Sequence, residues 1–235
     1  MSSLSQKLQD ALNESDFNPQ KLMDVLKENP FLKEQFQGDV GVWGGLALEQ
    51  HTLMVLRQFE KYFKDQVLPG NIDRSFFRLL LGIHDIGKPL ALLAGDKWLQ
   101  HKNTKLIIYN IRRILPLTDQ EIDRMIAVLD GDPIGSYYRD RYNLEQSMEE
   151  LQRMANAAQM RLDIFFDLLT IYFQVDAGAY TQDAGGKAVL DHLFEIDSTR
   201  GMYFFNKQEG RIQFSQTALE KFRKLENGIK QLISD

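Results

Sequence analysis

The feature that most restricts the fold is a run of large apolar residues that ends abruptly in two polar ones. Phe76, Phe77, Leu79, Leu80, Leu81 and Ile83 are followed by His84, Asp85, Ile86, Gly87 and Lys88. A run apolar on every side reads as a fully buried helix, not a half-exposed one. Asp73 is suited to cap its start, and Gly87 with Pro89 is expected to close it. Burying an imidazole beside a carboxylate costs free energy unless both find partners. A divalent metal would satisfy both, because neutral imidazole and ionised carboxylate are ordinary ligands. Lys88 is then held beside the ion, where a cation can meet an anionic substrate.

Around this run the chain reads as further helices. Leu4, Leu8, Ala11 and Leu12 have the spacing of an amphipathic helix. Asn18-Pro19 looks like the start of a second helix that ends before Pro30. Residues 38–45 are glycine-rich and read as a connecting loop. A helix from Leu46 to Phe63 carries His51, and another begins near His101 and runs to Leu115. Thr118-Asp119-Gln120-Glu121 is a capping box. That helix is broken at Asp130-Gly131-Asp132-Pro133, which makes Asp130 and Asp132 turn residues first.

Residues 136–142 then read as a loop rich in tyrosine and arginine, and a long helical stretch runs from Leu144 to about Val175. Its last part, Leu162 to Phe173, is a second central helix closed by Asp176. Asp163 and Asp167 form an i, i+4 pair of like charge on it, facing solvent or a basic partner, with lining of the same cleft as the alternative. Met202–Phe205 and Arg211–Phe214 flank five turn residues, the pattern of a hairpin, and Ser215 would cap a last helix. His192 lies outside any pattern. The expected fold is therefore mainly α, a helical bundle with a small C-terminal β-hairpin. Its parts are an N-terminal helical arm (1–37), a core (38–195), and a hairpin with a C-terminal helix packing on the core (196–235).

Composition narrows the chemistry. The 235 residues contain no cysteine, so thiolate catalysis, disulfides and cysteine metal sites are excluded. A net charge of -5 gives no general basic footprint, so neither nucleic acid nor an anionic membrane is the expected partner. No apolar segment approaches the ~18 residues that span a bilayer. Met1–Lys7 lacks the layout of a signal peptide, and a cytoplasmic protein is expected.

Taken singly, His51 reads as a hydrogen-bonded core histidine and Asp176 as a helix-end residue making local bonds. The order of His51, then His84-Asp85 with Ile86-Gly87-Lys88, then a distant Asp176 resembles the HD-domain superfamily of metal-dependent phosphohydrolases. The resemblance spans roughly Leu46 to Tyr180. It implies a helical bundle in which His51, His84, Asp85 and Asp176 bind a divalent ion. Mixed imidazole and carboxylate ligation suits Mn²⁺, Fe²⁺, Co²⁺ or Ni²⁺, with Mg²⁺ also admissible. It implies that Lys88 and His101 bind phosphoryl oxygens, with Asp85 also counted among the catalytic groups. Asp130 and Asp132 stand where some two-metal members have a further histidine, a departure from the pattern.

The leading expectation is hydrolysis of a phosphomonoester or phosphodiester, on a nucleotide or related small molecule, by metal-activated water. The alternative is a catalytically inactive scaffold of the same fold that binds a ligand or a protein partner. A nuclease is a weaker third, since the acidic balance opposes it.

Overall fold

Asp73 accepts from the backbone N–H groups of Ser75 at 2.7 Å and Phe76 at 3.2 Å, and so starts the helix on which the chain is centred. This computed structural model describes residues 3–41, 45–179, 194–196, 212–214 and 216–234. They are mainly helical and divide into two compact units, Met1–Arg57 with Asn71–Asp130, and Gln58–Gly70 with Gly131–Asp235.

The first unit contains helices α1 (Leu4–Leu12), α2 (Pro19–Leu26), α3 (Pro30–Gln37), the start of α4 (Leu48–Phe63), α5 (Arg74–Ile83), α6 (Lys88–Leu93), α7 (Gln100–Ile111) and α8 (Asp119–Val128). Local chemistry starts most of them. Ser3, Asn18, Asn29 and Thr118 each accept from an N–H in the first turn of the helix that follows. Thr118 and Glu121 complete the expected capping box, with the Thr118 N–H donating to Glu121 at 2.8 Å. Helix α3 was not expected: Asn29 and Pro30 start a helix of their own, where proline in the first turn loses no backbone bond.

Every residue of α5 from Phe76 to Ile83 is buried. Its Gly82 lies against Leu22 and Leu26 of α2, whose apolar face also packs on Leu8, Ala11 and Leu12 of α1. The end of α5 differs from expectation. The helix stops at Ile83, and a short turn follows in which Lys88 N donates to Asp85 O at 2.9 Å. Gly87 does not end α5; it is the N-cap of α6, and Pro89 sits in the first turn of that helix. Proline is as well suited to opening a helix as to stopping one, and here it opens.

The second unit contains the end of α4, then α9 (Pro133–Tyr138), α10 (Leu144–Ala157), α11 (Leu162–Gly178) and α12 (Gln216–Ser234). The long stretch from Leu144 is thus two helices. Phe166 of α11 stacks on Phe222 of α12 with ring centroids 5.6 Å apart, and Leu225 and Ile229 bury the same face of α12. The segment expected as a tyrosine-rich loop begins as α9. Asp132 caps that helix by accepting from Gly135 N at 2.9 Å, and Tyr137 and Tyr138 are buried.

The expected hairpin is not supported: among the described residues Ile212–Phe214 pairs antiparallel with Phe194–Ile196. Residues 42–44 of the glycine-rich stretch, 202–205, the turn, Ser215 and His192 lie outside the described residues.

Candidate metal centre

Two helices of the first unit carry the histidines. His51 lies in the first turns of α4 and is fully buried, and His84 caps α5 and is 3 % exposed. Ending α5 at Ile83 turns His84 and Asp85 out of the helical ladder without taking them out of the core. His84 Nδ1 lies 2.7 Å from the carbonyl oxygen of Leu81. A carbonyl can only accept, so Nδ1 carries the proton and Nε2 of the neutral ring keeps its lone pair. That is the tautomer a metal requires, fixed by a backbone acceptor in the manner usual for ligating histidines.

The Nε2 atoms of His51 and His84 are 3.3 Å apart. Asp85 Oδ2 lies 3.6 Å from the first and 3.7 Å from the second. The circle through three points so spaced has a radius of about 2.1 Å, which matches ordinary metal–nitrogen and metal–oxygen bonds of about 2.0–2.2 Å. One ligand atom from each residue lies within 4.8 Å of the others. The donor set fits a divalent ion. This is a buried His/Asp group that could hold a metal, compatible with an HD-like site.

The carboxylate is held from two sides. Gln100, at the start of α7, donates its Nε2–H to Asp85 Oδ1 at 2.7 Å. Lys88, at the start of α6, donates to Oδ2 at 2.9 Å. The two helix starts are themselves locked together, because Gly87 N donates to Thr104 Oγ1 at 3.1 Å. A Cβ on Gly87 would stand 2.3 Å from Thr104 N and 2.6 Å from Gln100 O, so only glycine lets α6 approach α7 this closely. Neither Gln100 nor Thr104 had a signal in the sequence.

The structure thus brings His51, His84, Asp85 and Lys88 together. His101 does something else with its Nδ1, which donates to Leu129 O at 3.0 Å and ties α7 to the end of α8. Asp130 pairs with Lys105 at 2.5 Å, and Asp132 pairs with Arg139 besides capping α9. Asp176 is half-buried near the end of α11, in the second unit.

Compared with protein-family models, curated proteins and solved structures, the chain matches none. No helix among the described residues is long and apolar enough to cross a membrane.

Proposed function

We propose that this chain is a metal-dependent phosphohydrolase of the HD type, acting on a nucleotide or a related small phosphorylated molecule. One observation carries the reading: two imidazole Nε2 atoms and one carboxylate oxygen form a buried triangle of 3.3, 3.6 and 3.7 Å. A core histidine pair serving only stability would not need a carboxylate oxygen facing both Nε2 atoms.

In this reading His51, His84 and Asp85 hold the ion, and Asp176 is the fourth ligand. A divalent ion there supplies a Lewis acid for a phosphoryl oxygen and a more acidic water. The protein's own groups do the rest. Leu81 O fixes the His84 tautomer, and Gln100 fixes the Asp85 rotamer so that Oδ2 turns toward the histidines. Lys88, with 19 % of its side chain exposed, carries positive charge from the buried carboxylate toward solvent, where it meets an anionic phosphoryl group. His101, whose Nδ1 is held by Leu129 O, is the second group proposed to bind phosphate.

The test is elemental analysis of protein purified without added metal, beside His84→Ala and Asp176→Ala. Near-stoichiometric transition metal in the wild type, lost in both variants, is expected, followed by turnover in a screen of nucleotides and simple phosphate mono- and diesters. No metal in the wild type, even after Mn²⁺ or Ni²⁺ is offered, overturns the reading and leaves a binding scaffold. Metal without turnover on any phosphate ester removes the hydrolase assignment alone.

A further inference from the structure

The whole-chain charge of -5 averages over a segment of opposite character. From Lys97 to Thr118 there is no aspartate or glutamate, and there are five cations: Lys97, Lys102, Lys105, Arg112 and Arg113. Most of this segment is α7, whose buried face is Thr104, Ile107, Ile108 and Ile111. Successive helical residues turn by about 100°, which places Lys102, Lys105, Leu106 and Tyr109 together on the opposite face. Trp98 precedes that face and Arg113 follows it. Trp98 is 65 % exposed, and Leu106 and Tyr109 are each 55 % exposed.

The cations are disposed around the rings. Lys97 lies 5.6 Å from the Trp98 ring centroid, and Arg112 lies 4.0 Å from that of Tyr109. Lys105 is taken by Asp130. Lys97, Lys102, Arg112 and Arg113 form no ion pair with a carboxylate among the described residues. Exposing a tryptophan, a tyrosine and a leucine on one face is unfavourable for a helix that binds nothing. Setting unneutralised cations among them selects what binds. Aromatic platforms interleaved with positive charge suit bases that stack and phosphates that need neutralising.

We infer that the outer face of α7, from Trp98 to Arg113, binds single-stranded nucleic acid. The occupant is single-stranded because the rings need unpaired bases to stack on. The 12 residues of α7 span about 18 Å, room for about five stacked nucleotides at ~3.4 Å each. The inference stands on this face alone and needs no metal.

The test is fluorescence polarisation of the full chain with labelled 20-nucleotide oligo(dT) and oligo(rU), in EDTA, across a salt series. Saturable binding is expected, with a log–log salt slope near -2 to -3 if three or four phosphates are neutralised at about -0.7 each. Trp98→Ala should weaken binding about tenfold, the scale of one lost base stack. Lys102→Glu with Arg113→Glu should weaken it further and flatten the slope by about 1.4. Lys33→Glu, an exposed cation of α3, should change neither. Thermal unfolding followed by circular dichroism establishes that each variant is folded. No saturable binding at low salt overturns the inference, and so does binding that Trp98→Ala and the double charge reversal leave intact. Equal competition by polyglutamate also overturns it, because the face would then take any acidic polymer.

Discussion

Gln100 donates to Asp85 Oδ1 at 2.7 Å, leaving Oδ2 as the oxygen that faces both histidines. Asp85 is 4 % exposed, so its rotamer is set by these protein groups and not by water. Gln100→Leu keeps the bulk of the side chain and removes the donor. Losing a partner that orients a metal-ligating group typically costs 10–100-fold in metal affinity, and that range is expected here. Taking a donor away from a buried carboxylate should also lower stability by about 1–3 kcal/mol. Competition titration with Ni²⁺ and a chemical melt of the metal-free protein read the two effects separately. Unchanged affinity with lowered stability would make Gln100 merely structural.

Gly87 sets two effects against each other. Its φ of -88° is open to any residue, so alanine would ordinarily gain about 0.4–1 kcal/mol by restricting the unfolded chain. The added Cβ, however, would meet backbone atoms of α7 at 2.3–2.7 Å, and backbone cannot swing aside as a side chain can. Overpacking of this kind typically costs about 1–3 kcal/mol, so the steric term wins and Gly87→Ala should be destabilising. Because α6 carries Lys88 and α7 carries Gln100, the variant should also hold metal more weakly. Urea unfolding and metal titration check both, and a stabilised variant would show that α6 and α7 can separate freely.

What was legible in the sequence follows from range. Asp73, Thr118 and Glu121 act within one turn of themselves, and their roles are written in neighbouring residues. The placement of His84 and Asp85 at the end of a buried helix was legible for the same reason. His51 carried no local sign of its role, and only the spacing of the set pointed to it. Gln100 and Thr104 could not be found, since an amide or a hydroxyl on a helix has no pattern until another helix is laid against it. Gly87 and Pro89 were misplaced because both residue types serve either end of a helix, and the close approach that decides between them is tertiary. The pairing of Ile212–Phe214 with Phe194–Ile196 was not read, because a short turn is a local signal, whereas this pairing is not.

Lys221 is the fastening of the C-terminal helix within the second unit. Its ammonium donates to Tyr137 O at 3.4 Å, Tyr138 O at 3.2 Å and Asp140 Oδ1 at 2.5 Å. The two carbonyls belong to the last turn of α9, where a cation is favoured, and Tyr137 O also accepts from Asp140 N at 3.1 Å. Lys221→Met retains the apolar stem and removes all three donors. A loss of about 1–3 kcal/mol is expected in a denaturant titration, on the scale of carbonyls left without a charged donor. A change within error would mean that water replaces the ammonium at no cost.

Asp167 gives the pH dependence its sign. Partial burial, followed by the nearby charges of Asp163 and Glu226, raises its carboxyl above the usual aspartate range, and Lys230 offsets only part of this. The folded chain therefore holds this proton to a higher pH than the unfolded chain does. Where the native state binds more protons, stability falls as pH rises, here through the interval from the ordinary aspartate value up to the raised one. The residue is exposed on α11, so solvent screening keeps the effect small. The like-charged i, i+4 pair with Asp163 by itself costs about 0.2–0.5 kcal/mol. Asp167→Asn should stabilise the chain by a few tenths of a kcal/mol at pH 7, with the gain vanishing near pH 3, where both states of the wild type are protonated. Thermal melts of the two proteins from pH 3 to pH 8 decide it. A gain that persists unchanged at pH 3 would assign the effect to packing, and a loss at pH 7 would mean the ionised carboxylate is stabilising.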